Sequence, residues 1–177
     1  MRTGYFLDLR DAGRILALQL SAYLNRSDVI VLALPPNGVP VAYEVAHWLN
    51  APLDVFFVRS PEPREQLYRG GRAPLEVRGR TAIVVDDGAV TGATMRTVID
   101  ELRRRDQPAR VVAAVPVAPP QVCQQLRAVA DEAVCVFTPD PFHNVEHWYR
   151  NYPTVPDEEV AKLLARARAG QWESAAA

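Results

Sequence analysis

Residues Ala82 to Thr94 read AIVVDDGAVTGAT, and three local tendencies follow one another along this stretch. Its first part, with Thr81, is a branched apolar run too short for a helix, which predicts a fully buried strand over Thr81–Val85. Small residues then carry the chain past two acids. From Gly92 to Arg105, Met95, Val98, Ile99 and Leu102 recur at helical spacing and predict a helix. A buried strand turning through small residues into a helix is half of a βαβ unit, the building block of a parallel sheet with helices on its faces.

The same alternation extends in both directions. Val29 to Leu34 and Leu53 to Val58 read as buried strands, separated by a helix with Val39, Ala42, Val45, Ala46 and Leu49 on one face. Downstream, strands are predicted over Arg110–Val115 and Ala133–Phe137, with a helix over Pro119–Ala130 whose proline stands where a missing N–H costs nothing. An amphipathic helix over Asp11–Asn25, with Asp11 as its N-cap, precedes the first strand. A last helix over Asp157–Ala169 stops at Gly170. The fold class is therefore α/β, a central mostly parallel sheet of about five strands flanked by helices, with right-handed crossovers. Residues 1–177 read as a single domain, a usual length for one hydrophobic core.

With 20 basic and 21 acidic residues the net charge is −1, which supplies no overall field to draw nucleic acid or an anionic membrane. The longest apolar run, VIVLALPP from Val29, falls well short of the ~20 residues of a membrane-spanning helix. The N-terminus lacks the apolar core of a secretory signal, so a cytoplasmic location is the default expectation. Cys123 and Cys135 have no CxxC spacing and read as buried, reduced thiols. Ser60 to Arg80 breaks the pattern: proline, glycine and arginine accumulate with little apolar periodicity, so a long, basic, flexible loop is predicted.

The candidate site follows the third strand. Ligands of open α/β sheets bind beyond the carboxyl ends of the strands, which is where Asp86 and Asp87 fall. Two adjacent carboxylates there are costly unless vicinal hydroxyls or a divalent cation use them; the alternative is that they cap the next helix. The loop of Val90, Thr91, Gly92, Ala93 and Thr94 enters that helix with small residues and two hydroxyls, leaving backbone N–H groups to cradle an anion. A ligand carrying both a diol and a phosphate, such as ribose 5-phosphate, satisfies both features.

This string resembles the phosphoribosyl pyrophosphate motif of the type I phosphoribosyltransferases: four mostly apolar residues, two acids, small residues, then T-G-x-T. The blocks FLDLRDAGRILALQL, LALPPNGVPVAYEVAHWLNAPLDVFFVRS, VVAAVPVAP and HWYRNYPTVPDEEVAKLL are similar to a bacterial branch of that family whose acceptors are mostly unassigned. The resemblance implies the Rossmann-like fold of that family with a small hood region, and residues 138–177 read as a C-terminal aromatic segment and helix. It implies that Asp86 and Asp87 hold the ribose hydroxyls and a Mg²⁺ ion, and that Val90 to Thr94 grip the 5-phosphate. It places Pro36, Asn37, Gly38 and Arg59 toward pyrophosphate and makes residues 60–80 the counterpart of a closing loop. The implied partners are phosphoribosyl pyrophosphate and a nucleobase-like acceptor, with no nucleic acid and no membrane; dimerisation is a habit of the family, which implies a homodimer.

The sequence also departs from the family. Relatives carry L-P-R-G-G-V-P where this chain has Leu34 to Pro40 as LPPNGVP, so an arginine and a glycine are missing. A cis peptide at Pro36 and a left-handed Asn37 would preserve the loop's shape. Ser60 follows Arg59 where relatives have a lysine; Arg64, Arg69 and Arg72 are candidate replacement cations. Val90 stands where some purine salvage members carry an aspartate base, and it cannot take up a proton. These departures keep two readings open: a phosphoribosyltransferase, or a regulatory module that binds phosphoribosyl groups without turnover.

A competing motif, His143 to His147, spells the H-x-x-E-H of inverted zinc proteases. A catalytic zinc needs a third protein ligand, usually a carboxylate well downstream; Glu158, Glu159 and Glu173 are the only downstream glutamates, in a short tail, and the string falls within the family-like block. Chance is the better account. Phe142, Trp148, Tyr149 and Tyr152 are candidates for stacking on a base, although core packing is the commoner fate of such residues.

Overall fold

A computed structural model describes residues 5–59 and 62–170. Five parallel strands form one sheet in the order β2-β1-β3-β4-β5. They are β1 (Val29–Ala33), β2 (Leu53–Val55), β3 (Thr81–Val85), β4 (Arg110–Val117) and β5 (Glu132–Phe137). The helices are α1 (Leu9–Gln19), α2 (Gly38–Leu49), α3 (Pro63–Arg69), α4 (Ala93–Glu101), α5 (Pro120–Val129) and α6 (Asp157–Arg168). Every residue of β1 and β3 is buried, as expected of strands covered on both faces.

Alternation along the strands divides the core in two. Val31, Ile83 and Val112 stand in register and face Leu16, Val45 and Leu163 of α1, α2 and α6. Their neighbours Ile30, Ala82 and Val111, also in register, face Ile99 of α4 and Leu126 of α5. After β1 the chain moves outward to β2, then returns past β1 to build β3. The strand order therefore reverses between β1 and β3, and the loops leaving their carboxyl ends enclose a crevice.

Several boundaries and one whole element differ from the sequence expectation. Asp8, not Asp11, caps α1, accepting from the Asp11 N–H at 2.8 Å, and the predicted helix stops at Gln19 before a 3₁₀ turn over Ser21–Tyr23. The segment read as a loop contains α3, which starts on Pro63, is closed by reciprocal bonds between Glu62 and Glu65, and ends on Gly70 in the left-handed region. Its tertiary partners explain why periodicity missed it. Buried Arg69 donates to Asp54 Oδ1 at 3.0 Å, Glu65 Oε2 at 2.9 Å and the Val55 carbonyl at 2.9 Å. Tyr68 donates to Asp157 of α6 at 2.6 Å, and burial followed by that bond pushes the phenol up to about 12. Arg69 is thus consumed in holding the segment to the sheet edge and is not a replacement cation for the site.

The cysteines are also corrected. Cys123 of α5 and Cys135 of β5 are joined as a disulfide, with Cα atoms 6.3 Å apart. A separation of 12 residues says nothing of proximity until α5 packs back on the edge strand. The second strand ends at Val55 rather than Val58, and the helix read to Arg105 gives way to a π-helical turn over Leu102–Asp106; Gly170 is the positive-φ stop after α6, as expected. Among the described residues, no helix is long and apolar enough to cross a membrane.

Candidate active site

The β1 and β3 loops meet at the crevice. Pro35–Pro36 is a cis peptide, the conformation that would preserve the loop's shape. Asn37, in contrast, is right-handed, at φ −72° and ψ −26°, and stands as the N-cap of α2. The Gly38 N–H donates to the Leu34 carbonyl at 3.0 Å and the Val39 N–H to the Pro36 carbonyl at 3.2 Å, so the backbone around Asn37 is already wound into the first turn of α2. Gly38 is buried against the end of β3, where a Cβ would lie 2.9 Å from the Val85 carbonyl oxygen. A side chain at this position would therefore push the two loops apart.

Asp86 and Asp87 emerge from β3 into this junction. The Asp87 N–H donates to Asp86 Oδ1 at 2.8 Å. Burial, then the adjacent Asp87 charge, holds the Asp86 carboxyl well above the usual carboxylate range. Asp87 is buried, and its partners come from the C-terminal segment: Tyr152 donates to Oδ2, and Tyr149 donates to the Asp87 carbonyl at 2.6 Å. Burial raises both phenols above their ordinary value, keeping them as donors. The two tyrosines read as base-stacking candidates are thus also hydrogen-bond partners of the acid pair.

The turn from β3 into α4 opens next. Gly92 takes φ +73° and leads into α4 as its N-cap, with no side chain of its own to cap the helix. Thr91, Ala93 and Thr94 are exposed, and Val90 presents half of its surface. The Thr91 hydroxyl accepts from the Ala93 N–H at 3.2 Å and so stiffens the turn. Arg96, one helical turn further on, donates to the Thr91 carbonyl at 3.1 Å and to Gln125 of α5 at 3.0 Å. Sequence reasoning passed over Arg96; its position a turn beyond T-G-x-T, on the exposed side of the helix, was the available signal. Positive charge and the amino end of a helix together favour an anion here.

Not every expected residue joins this cluster. Arg59 is exposed beyond β2, and among the described residues no hydrogen bond or ion pair joins it to the acids. The H-x-x-E-H string forms no helix: Glu146–Trp148 is a 3₁₀ turn, and the His143 and His147 rings meet edge-on at 5.1 Å. Val145 lies over the site instead, with its methyls 2.8 and 2.9 Å from where a Gly88 Cβ would stand. The N-terminal segment fastens this cover, since the Phe6 N–H donates to the Trp148 carbonyl at 2.9 Å and its carbonyl accepts from Arg150 at 2.8 Å.

A parallel α/β sheet, an acid pair at its switch point and an uncapped helix start beside it define a type I phosphoribosyltransferase fold. The chain belongs to the phosphoribosyl transferase domain family, whose model matches residues 7–149. A Mycobacterium tuberculosis protein named "putative phosphoribosyl transferase" is 36% identical to it, over 92% of this chain and 47% of that one. The chain thus spans about half the length of the curated relatives it matches. The crystal structure of TT1426 from Thermus thermophilus superposes with a TM-score of 0.80 at 31% identity, covering 90% of this chain and 97% of that one. A hypoxanthine-guanine phosphoribosyltransferase from Bacillus anthracis shares the fold, with a TM-score of 0.53 at 19% identity over 81% of this chain and 89% of that one.

Proposed function

We propose that this protein binds phosphoribosyl pyrophosphate with Mg²⁺ and transfers the phosphoribosyl group to a nitrogenous, base-like acceptor, releasing pyrophosphate. The observation that carries the reading is the junction itself: Gly38 against Asp86, with the uncapped start of α4 following along the same loop. A diol-binding acid pair, a phosphate cradle and a pyrophosphate-facing loop converge at one switch point.

In this reading Asp86 and Asp87 orient the ribose through its vicinal hydroxyls, and Thr91 to Thr94, supported by Arg96, hold the 5-phosphate. Asp86 and Asp87 would also hold the Mg²⁺ ion. The donor set suits it, because a divalent cation would stabilise the charged form of Asp86 that burial, and then the adjacent Asp87 charge, disfavour. Among the described residues no group of three or more acids, histidines or cysteines is placed to hold a metal. Completing the shell from substrate oxygens is the usual habit of Mg²⁺. When bound, the ion neutralises charge on the departing pyrophosphate. The C1–O bond to pyrophosphate breaks as a C1–N bond forms, and the protein's contribution is positioning and electrostatics. Val90 offers an aliphatic surface and no base, which suits an acceptor whose nitrogen needs none.

Titration of the purified protein with phosphoribosyl pyrophosphate and Mg²⁺, followed by a pyrophosphate-release assay across nucleobases and related heterocycles, tests this reading. Saturable binding, acceptor-dependent release and loss of both in Asp87→Asn are expected. Binding without release for any acceptor would favour a regulatory phosphoribosyl-binding module and overturn the enzyme reading.

A further inference from the structure

A second concentration of charge lies at the β2 edge of the sheet, with β1 between it and the strand that delivers the acid pair. Ala161, Ala165 and Arg168 recur along one face of α6, and Leu67, Arg69 and Arg72 lie at and just beyond the C-terminal end of α3. Together they line a cavity of about 250 Å³, with three arginines and no acid in its wall among the described residues. The charges around it do not balance. Arg69 is fully engaged by Asp54, Glu65 and the Val55 carbonyl. Arg168 has only the same Asp54 carboxylate as an ionic partner among the described residues, at 3.8 Å, too far for a hydrogen bond. Both Asp54 oxygens are already in use, Oδ1 by Arg69 and the Val55 N–H, Oδ2 by the Leu75 N–H. Arg168 Nε and Nη2 are therefore buried and donate to no described residue. Arg72 is exposed and makes no side-chain hydrogen bond or ion pair among the described residues. Three guanidiniums thus share two carboxylates, and the surplus stands in the cavity wall.

We propose that the cavity between α3 and α6 is an anion site, distinct from the one at the start of α4, which takes the phosphate group of a small metabolite between Arg168 and Arg72. Buried donors are almost always satisfied, and a buried guanidinium without hydrogen bonds is costly unless an anion serves it. A water molecule would fill the hydrogen bonds but leave the charge. The fork of an arginine matches two phosphate oxygens at once, and a turn of the long Arg168 stem brings its unused N–H groups to the cavity. Arg72 closes from the other wall, while Arg69 stays with Asp54. The bound anion ties α3 to α6 and so fastens the segment that follows β2. Nothing in this depends on the reaction proposed above.

The test is hydrogen–deuterium exchange of the whole protein titrated with inorganic phosphate, against chloride at equal ionic strength. Phosphate is expected to slow exchange severalfold in the peptide covering residues 63–72, since a ligand that binds the closed form suppresses local opening. The same slowing should persist in Arg96→Ala, which weakens the separate cradle at α4. Arg72→Ala and Arg168→Met should each raise the phosphate concentration for half-maximal slowing about tenfold, the value of one charge-assisted hydrogen bond. Arg72 is exposed, so its variant carries the test if Arg168→Met fails to fold. No slowing in the wild type, an unchanged midpoint in Arg72→Ala, or slowing that disappears in Arg96→Ala overturns the site. Each of those results leaves the proposed function standing, because binding of phosphoribosyl pyrophosphate is read separately, through Asp87→Asn.

Discussion

Gly38 and Asp86 touch across the crevice: a Cβ on Gly38 would come within 3.2 Å of both Cα and Oδ1 of Asp86. The Val85 carbonyl oxygen, at 2.9 Å, and the Asp86 Cα are backbone atoms, so the strand end cannot step aside cheaply. Gly38→Ala is expected to separate the two loops, cost about 1–3 kcal/mol of stability as an overpacked site does, and weaken phosphoribosyl pyrophosphate at least tenfold. Thermal melting and calorimetric titration read the two effects. Unchanged affinity would show that the β1 loop takes no part in binding.

Asp86 makes the opposite prediction for stability. Its carboxyl is raised by burial and by Asp87, so the folded state binds this proton more tightly than the unfolded chain does. The resulting destabilisation is absent below the unfolded pKa near 3.9 and fully present above the raised folded value. Asp86→Asn should therefore raise the melting midpoint of the ligand-free protein at neutral pH, by roughly 2–4 °C for about 1 kcal/mol, while abolishing binding. The gain should shrink as pH falls toward 4. A variant less stable than wild type at pH 7 would contradict this.

The ion pair of Arg69 with Asp54 holds α3 to the sheet edge. Both side chains are almost wholly buried, and Asp54 also accepts from the Val55 and Leu75 N–H groups at 2.8 and 2.9 Å. Removing Arg69 leaves buried Asp54 only the more distant Arg168, at 3.8 Å, as a cationic partner, so Arg69→Met should cost about 3 kcal/mol, roughly a 10 °C drop. The double variant with Asp54→Asn should recover part of that loss, measured as a coupling energy in urea denaturation.

The disulfide between Cys123 and Cys135 is checked most directly by counting thiols. Unfolding under non-reducing conditions should expose no titratable thiol, and added dithiothreitol should lower stability by about 2–3 kcal/mol for a closed loop of this size. Two reactive thiols in the unreduced protein would restore the reading made from the sequence.

Much of the fold was legible because buried parallel strands are written as short apolar runs, and five such runs alternate with helical periodicity. AIVVDDGAVTGAT carried the acid pair and the anion cradle together because both sit on one continuous strand, turn and helix. Other features were opaque for a common reason. Arg69 reads as one more loop arginine until Asp54, fifteen residues away, is placed beside it. Tyr152 reads as one aromatic among several until its hydroxyl is found on an acid 65 residues earlier.

The sequence by itself determined the strands, the helices between them and the local chemistry of Asp86 to Thr94, since each depends on neighbours in the chain. Only the tertiary structure decided that Gly38 closes on Asp86, that Asn37 is helical, that α3 exists, and that Tyr149 and Tyr152 reach Asp87. Those outcomes rest on contacts between segments far apart in the chain, which local periodicity and propensity do not encode.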